Sequence, residues 1–199
     1  LTKVQQKLGE LEPAEKTLEA ALKLFPNSPM RQKNLGELAL QRGDTEAAER
    51  AFRKSVAVGE FSVLKSPEAY LGLAKVCGVA QEKEALKALD LLQRHMPGDE
   101  IKLRAKSAAG VMYNEAGNLK KATEIANEVA DMVPALQGSL GSSASIEAAS
   151  LLLASGKRDM AVDLLQSVVR NNHDNRELLG NVQQVFVDAR SEERRVGKE

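Results

Sequence analysis

Few side chains in this chain of 199 residues carry reactive chemistry, and those few stand apart from one another. A thiol nucleophile needs a base beside it, and a general acid needs a neighbour that tunes its pKa. Cys77 is the only cysteine, and His95 and His173 are the only histidines. Nothing converges on either histidine. His95 follows Leu91 and Leu92 near the end of a helical stripe, just before Pro97, where the helix dipole favours a cation. His173 sits in the polar turn Asn171-Asn-His-Asp-Asn175. Cys77 reads as a small buried apolar residue. One cysteine makes no internal disulfide, and one cysteine with two histidines makes no four-ligand zinc site. The segment Gly138-Ser-Leu-Gly141-Ser-Ser143 has the composition of a phosphate-cradling loop, but it lacks the Gly-Lys-Ser/Thr ending and the preceding strand. It reads as a connection. The charged runs Glu82-Lys-Glu84 and Lys120-Lys121 read as solvated faces. The expectation is therefore no catalytic residue, no metal and no cofactor.

Composition narrows the partners. Basic and acidic residues number 28 each, so no net positive field gathers nucleic acid or anionic lipid. Aromatic residues make up only 3% of the chain and tryptophan is absent, which removes the stacking platform used for single strands. The longest apolar runs fall far short of the roughly 20 residues that cross a bilayer. Neither nucleic acid nor membrane is an expected partner.

What the chain does contain is a period. Gly9-Glu-Leu-Glu-Pro-Ala14-Glu15, followed by Leu18 and Ala21, returns 34 residues later as Gly43-Asp-Thr-Glu-Ala-Ala48-Glu49, followed by Phe52 and Ser55. The arrangement recurs around Ala85, Ala122 and Ala161, with Leu89, Ala126 and Leu165 four residues on and Leu92, Val129 and Val168 seven on. That spacing lies along one helix face. Gly9, Gly43, Gly117 and Gly156 stand five residues before their anchor alanines, Ala80 being the exception. Pro26, Pro97 and Pro134 stand twelve after theirs, and Glu60 and His173 depart from that pattern. A glycine there supports the positive φ that ends one helix, the alanine lets the next helix approach, and the proline stops it.

Earlier helices carry matching small residues: Leu35-Gly36 with Ala39, Leu73-Ala74 with Cys77, Ala109-Gly110 with Tyr113, and Ala148-Ala149 with Leu152. Ser66-Pro67-Glu68 and Asp99-Glu100 supply N-cap candidates. Asp174-Asn175 starts a last stripe of Leu179, Val182, Val185 and Phe186, which reads as a helix sealing the stack. The Gly- and Ser-rich stretch 135–145 reads as a longer loop or a frayed helix start.

These marks resemble the tetratricopeptide repeat (TPR), a 34-residue helix pair with Leu-Gly in its first helix, Ala-x3-Phe in its second, and a closing Pro. The resemblance covers nearly all of residues 1–189. It implies an all-α, right-handed α-solenoid of stacked antiparallel helix pairs, about five pairs plus a terminal capping helix. Within it, the run from Val56 to Leu73 and the run Val169-Arg-Asn-Asn-His173-Asp are similar to the TPR arm that follows a phosphoacceptor receiver domain in some bacterial response regulators. Residues 190–199 resemble the translation of a sequencing adapter and are expected to be a non-native tail. They hold four basic and three acidic groups, leaving 24 and 25 in the preceding residues. The chain is expected to be a fragment that continues at both ends, from a cytoplasmic protein.

The TPR resemblance implies a non-catalytic protein-interaction module, the first helices lining a concave groove for an extended peptide or amphipathic helix of another protein. Residues one turn away from the packing stripe are the expected groove: Lys33, Glu37 and Gln41; Leu71, Lys75 and Val79; Arg104, Ser107, Val111 and Asn114; Ile146 and Ser150. Glu37 stands where a carboxylate-clamping repeat needs Asn, so a clamp for a terminal carboxylate is not expected. Two other classes stay open: the regulatory arm of a larger enzyme, and a helical-repeat RNA reader, for which the neutral charge is a poor fit. Oligomeric state and the identity of the partner are open at this point.

Overall fold

The computed structural model describes Gly9 and residues 11–63, 65–136 and 139–196, with residues 188–196 described by their backbone alone. Among the described residues there are ten α-helices, one 3-10 turn and no strand. In chain order they are α1 (Leu11–Leu24), α2 (Pro29–Gln41), α3 (Thr45–Gly59), α4 (Pro67–Cys77), α5 (Glu82–His95), α6 (Asp99–Glu115), α7 (Leu119–Leu136), α8 (Ser142–Ala154), α9 (Arg158–Asn171) and α10 (Arg176–Val196). The 3-10 turn, Val79–Gln81, leads into α5. The chain divides into two compact units, Leu1–Met96 and Pro97–Glu199.

In the first unit α2 pairs with α3 and α4 with α5; α1 leans on α2, and α4 packs on both α2 and α3. In the second unit α6 pairs with α7 and α8 with α9, while α6, α8 and α10 form a row of first helices. The helices form where the repeat placed them. Ala14, Ala48, Ala85, Ala122 and Ala161 are all buried, as are the residues four positions on. A buried alanine presents only a methyl group, which lets a neighbouring helix approach closely.

The turns inside the pairs have one chemistry. At Gly43 (φ 77°) the Asp44 N–H donates to the Ala39 carbonyl and the Gly43 N–H to that of Leu40. The turns at Gly117 and Gly156 repeat both bonds. This is the Schellman closure, and its left-handed residue is why glycine recurs there. At the Ala80 exception the positive φ has moved to Gly78, and the 3-10 turn takes up the extra residues.

Helix starts follow the side chains that can cap them. Ser28 accepts from the Arg31 N–H, Asp44 from Ala47, Asn118 from Lys121 and Asn175 from Leu178. Each satisfies an orphan donor of the first turn. Two expected caps differ. The Ser66 hydroxyl turns to the Glu68 carboxylate and makes no cap bond to the backbone, and Gly98 rather than Asp99 precedes α6. Pro134 also departs from expectation, because α7 runs two residues past it. So near a helix end a proline costs one bond and little else. The connection after α7 is short: α8 begins at Ser142. The α10 backbone continues through Ala189 to Val196.

Candidate functional site

The first helices of each unit are spaced by a side chain set between them, from a second helix in the first unit and from a first helix in the second. Phe52 of α3 is buried, and its ring tip enters a notch formed by Gly36 of α2 and Gly72 of α4. A Cβ at Gly36 would lie 2.8 Å from the ring, and one at Gly72 2.6 Å. In the second unit Leu151 of α8 fills the corresponding notch at Gly110 of α6. These contacts hold α2 beside α4 and α6 beside α8, so each unit has a fixed row of first-helix side chains.

The residues expected on those rows divide by environment. In the first unit Gln41, Lys75 and Val79 are exposed and Leu71 is half-buried. Val79 lies in the 3-10 turn rather than on α4. Lys33 is ion-paired with Glu37 one helical turn on, its Nζ 2.9 and 3.0 Å from the two carboxylate oxygens. A lysine already paired with a carboxylate of its own helix is a poor receptor for a partner's carboxylate.

In the second unit Val111, Asn114, Ile146 and Ser150 are partly exposed. Two nominees are not surface groups. Arg104 is 6% exposed, and its Nε and Nη2 meet Glu147 of α8 at 2.9 and 2.7 Å, a bidentate pair that ties α6 to α8. Ser107 is 1% exposed, so packing rather than solvent surrounds its hydroxyl. Glu147 is the partner that the periodicity did not reveal. A signal was present, since Arg104 and Glu147 each stand six residues after the residue preceding their helix, Gly98 and Gly141.

The reactive residues are scattered. Cys77 is buried, and burial pushes its thiol pKa up, away from the nucleophilic thiolate. His95 Nδ1 lies 2.9 Å from the hydroxyl of buried Tyr70, with the rings edge to face, so it joins α4 to α5. His173 is exposed and lies 3.2 Å from Asp174. In the Ser-rich connection Gly138 lies outside the described residues. Beside Gly141, at the start of α8, lies the Glu100 carboxylate, 2.8 Å from where a Cβ would be. That negative charge opposes a phosphate in the place where a helix start would otherwise attract one. Among the described residues no group of three His, Cys, Asp or Glu is arranged to hold a metal, and no helix is long and apolar enough to cross a membrane.

Repeated antiparallel pairs, a shared turn chemistry and a row of first helices in each unit define a helical-repeat protein. The chain belongs to the tetratricopeptide repeat family. That family's profile matches residues 3–62 and again 34–100. Solved structures agree over most of the chain. A thermophilic TPR protein of Thermus thermophilus is 18% identical, with 94% of this chain and 96% of that one covered and a TM-score of 0.59. PilF of Pseudomonas aeruginosa is 18% identical over 94% and 82%, with a TM-score of 0.55. MamA is 22% identical over 87% and 95%, with a TM-score of 0.53. At these identities the likeness is one of fold. No curated protein matches the chain.

Proposed function

We propose that this chain is a non-catalytic protein-interaction module whose first-helix faces bind an extended peptide or an amphipathic helix of a partner protein. The observation that carries this reading is the character of those faces. Half-buried apolar residues (Leu71, Val111, Ile146) alternate with exposed or partly exposed polar ones (Gln41, Lys75, Asn114), while the strong charges at Lys33 and Arg104 are already paired within the chain. Such a face offers apolar contact together with polar and cationic contact on a rigid support, so a docking segment bears most of the ordering cost. Family membership supports the same reading, since TPR folds serve as interaction scaffolds. The similarity of the Val56–Leu73 and Val169–Asp174 runs to receiver-linked TPR arms supports a narrower role, the output arm of a cytoplasmic bacterial signalling protein.

The test places a photo-crosslinking residue at Lys75 or Ile146, on first helices, and at Lys87 or Asp163, exposed positions of second helices. Discrete adducts at the first two positions alone are expected in the native host. Adducts at all four positions, or at none, would overturn the assignment of the face.

A further inference from the structure

We propose that the 3-10 turn Val79–Gln81 is a strap, fastened by Glu49 and Arg53 of α3 and loosened by salt, that governs whether Val79 stands on the first-helix face of the first unit. The regulation rests on the binding role proposed above for that face; the strap itself does not.

This turn is held differently from its counterparts. At Gly43, Gly117 and Gly156 the backbone closes on itself in the Schellman pattern. After α4 the positive φ falls at Gly78, the Gly78 N–H donates to the Ala74 carbonyl, and three more residues run on as the 3-10 turn. None of the three is buried, so apolar packing does not fix them. Their tie to α3 is polar and passes through one side chain. Gln81 Nε2 donates to Glu49 Oε2 at 3.1 Å, and Arg53 Nη2 donates to Gln81 Oε1 at 3.5 Å. The amide thus meets the carboxylate with its donor and the guanidinium with its acceptor. Arg53 also donates to Glu49 Oε1 at 2.5 Å and, through Nη1, to Glu84 Oε2 of α5 at 3.4 Å. The network therefore joins α3, the turn and α5.

The same kind of fastening occurs once more in this unit. Glu49 stands one residue after the anchor Ala48, and Glu15, one residue after Ala14, is ion-paired with Arg42 in the turn between α2 and α3. In both cases an acid near the start of one second helix reaches the turn of the next pair. The consequence of release differs. The α2–α3 turn keeps its backbone closure at Gly43, whereas the 3-10 turn has no buried residue to hold it. Thr123 and Val162, the corresponding residues of the second unit, carry no charge. Exposure then sets the sensitivity. The Arg53, Glu84 and Glu49 side chains are 46%, 45% and 25% exposed, so salt screens their contacts and each is weak. A weak tie on an unburied turn opens reversibly. When it does, Val79 leaves its place beyond the end of α4, and the face keeps Leu71 and Lys75, which α4 itself carries.

Amide exchange read residue by residue by NMR in the full chain tests the strap without a partner. Exchange at residues 79–83 is expected to rise about two- to fivefold in Gln81→Ala and in Glu49→Lys, the range for exposed pairs, with Ala51 and Phe52 of α3 unchanged. In the wild type it should also rise with added salt, a dependence that Gln81→Ala should lose. Glu49→Lys combined with Gln81→Glu reverses the pair and should restore wild-type exchange, which a general loss of packing would not allow. Unchanged exchange in both single variants overturns the proposal. So does equal acceleration through α3, α4 and α5, because the unit rather than the turn would then be opening. A photo-crosslinking residue at Val79 reads the regulation: its partner adducts should fall several-fold in Glu49→Lys while those from Lys75 persist. Equal adducts from Val79 in both backgrounds overturn that regulation. Absence of adducts from both positions in the wild type counts against the first-helix reading, and exchange still decides the strap.

Discussion

Substituting Gly72 by Ala should destabilise the first unit, although alanine is the better helix former. The new Cβ would sit 2.6, 2.8 and 2.9 Å from three carbons of the Phe52 ring. Carbon atoms rest at about 3.5–4.0 Å, so the ring must retreat by about 1 Å. It has little room, because it is 1% exposed and the same ring edge already faces Gly36. Overpacking of this kind costs about 1–3 kcal/mol, against a gain of about 1 kcal/mol in helix propensity. The net expectation is a loss of up to about 2 kcal/mol. In a Phe52→Ala background the clash is gone, and Gly72→Ala should then stabilise by about 1 kcal/mol. Urea unfolding followed by circular dichroism of the four members of this cycle gives the coupling directly. A Gly72→Ala substitution that stabilises equally in both backgrounds would show that the glycine is not there to admit the ring.

Three further outcomes are expected. Glu147→Ala removes the carboxylate that pairs with the buried Arg104 guanidinium and should cost about 2–3 kcal/mol, at or below the range for a fully buried pair because Glu147 is one-third exposed; joint replacement by Arg104→Met and Glu147→Leu should recover most of the loss in a urea melt. Cys77, buried and with its thiol pKa raised, should react with a disulfide reagent at pH 8 only as fast as the first unit opens, and at once in denaturant. Glu49 has its pKa lowered below the ordinary 4.5, first by its hydrogen bond with Arg53 and then by that with Gln81. Its contribution is therefore present above about pH 4.5 and lost as the pH falls through the folded value, so Glu49→Gln should flatten the acid limb of the stability profile by a small amount.

The repeat was legible because its marks are local. Gly43, Gly117 and Gly156 end helices through bonds made within six residues, and each anchor alanine is buried on a helix that packs on a neighbour in sequence. Local rules failed where tertiary packing decides. Nothing within α6 says that Arg104 meets a carboxylate 43 residues away, and a groove nominated by helical phase therefore counted a tie between helices as a surface charge. Ser107 was misplaced for the same reason, since phase gives a direction on one helix and not what lies in that direction. Ser66 shows the limit at shorter range, because a caps-by-composition argument does not foresee that Glu68 competes for the hydroxyl.

The three glycine turns have a kinetic consequence. Each closes an antiparallel pair by joining residues close in the chain, so little loop entropy is spent before the paired faces meet. Formation of α2 with α3, or of α8 with α9, need not wait for distant sequence. On a ribosome adding residues over tenths of a second, each pair has time to dock before the next one emerges.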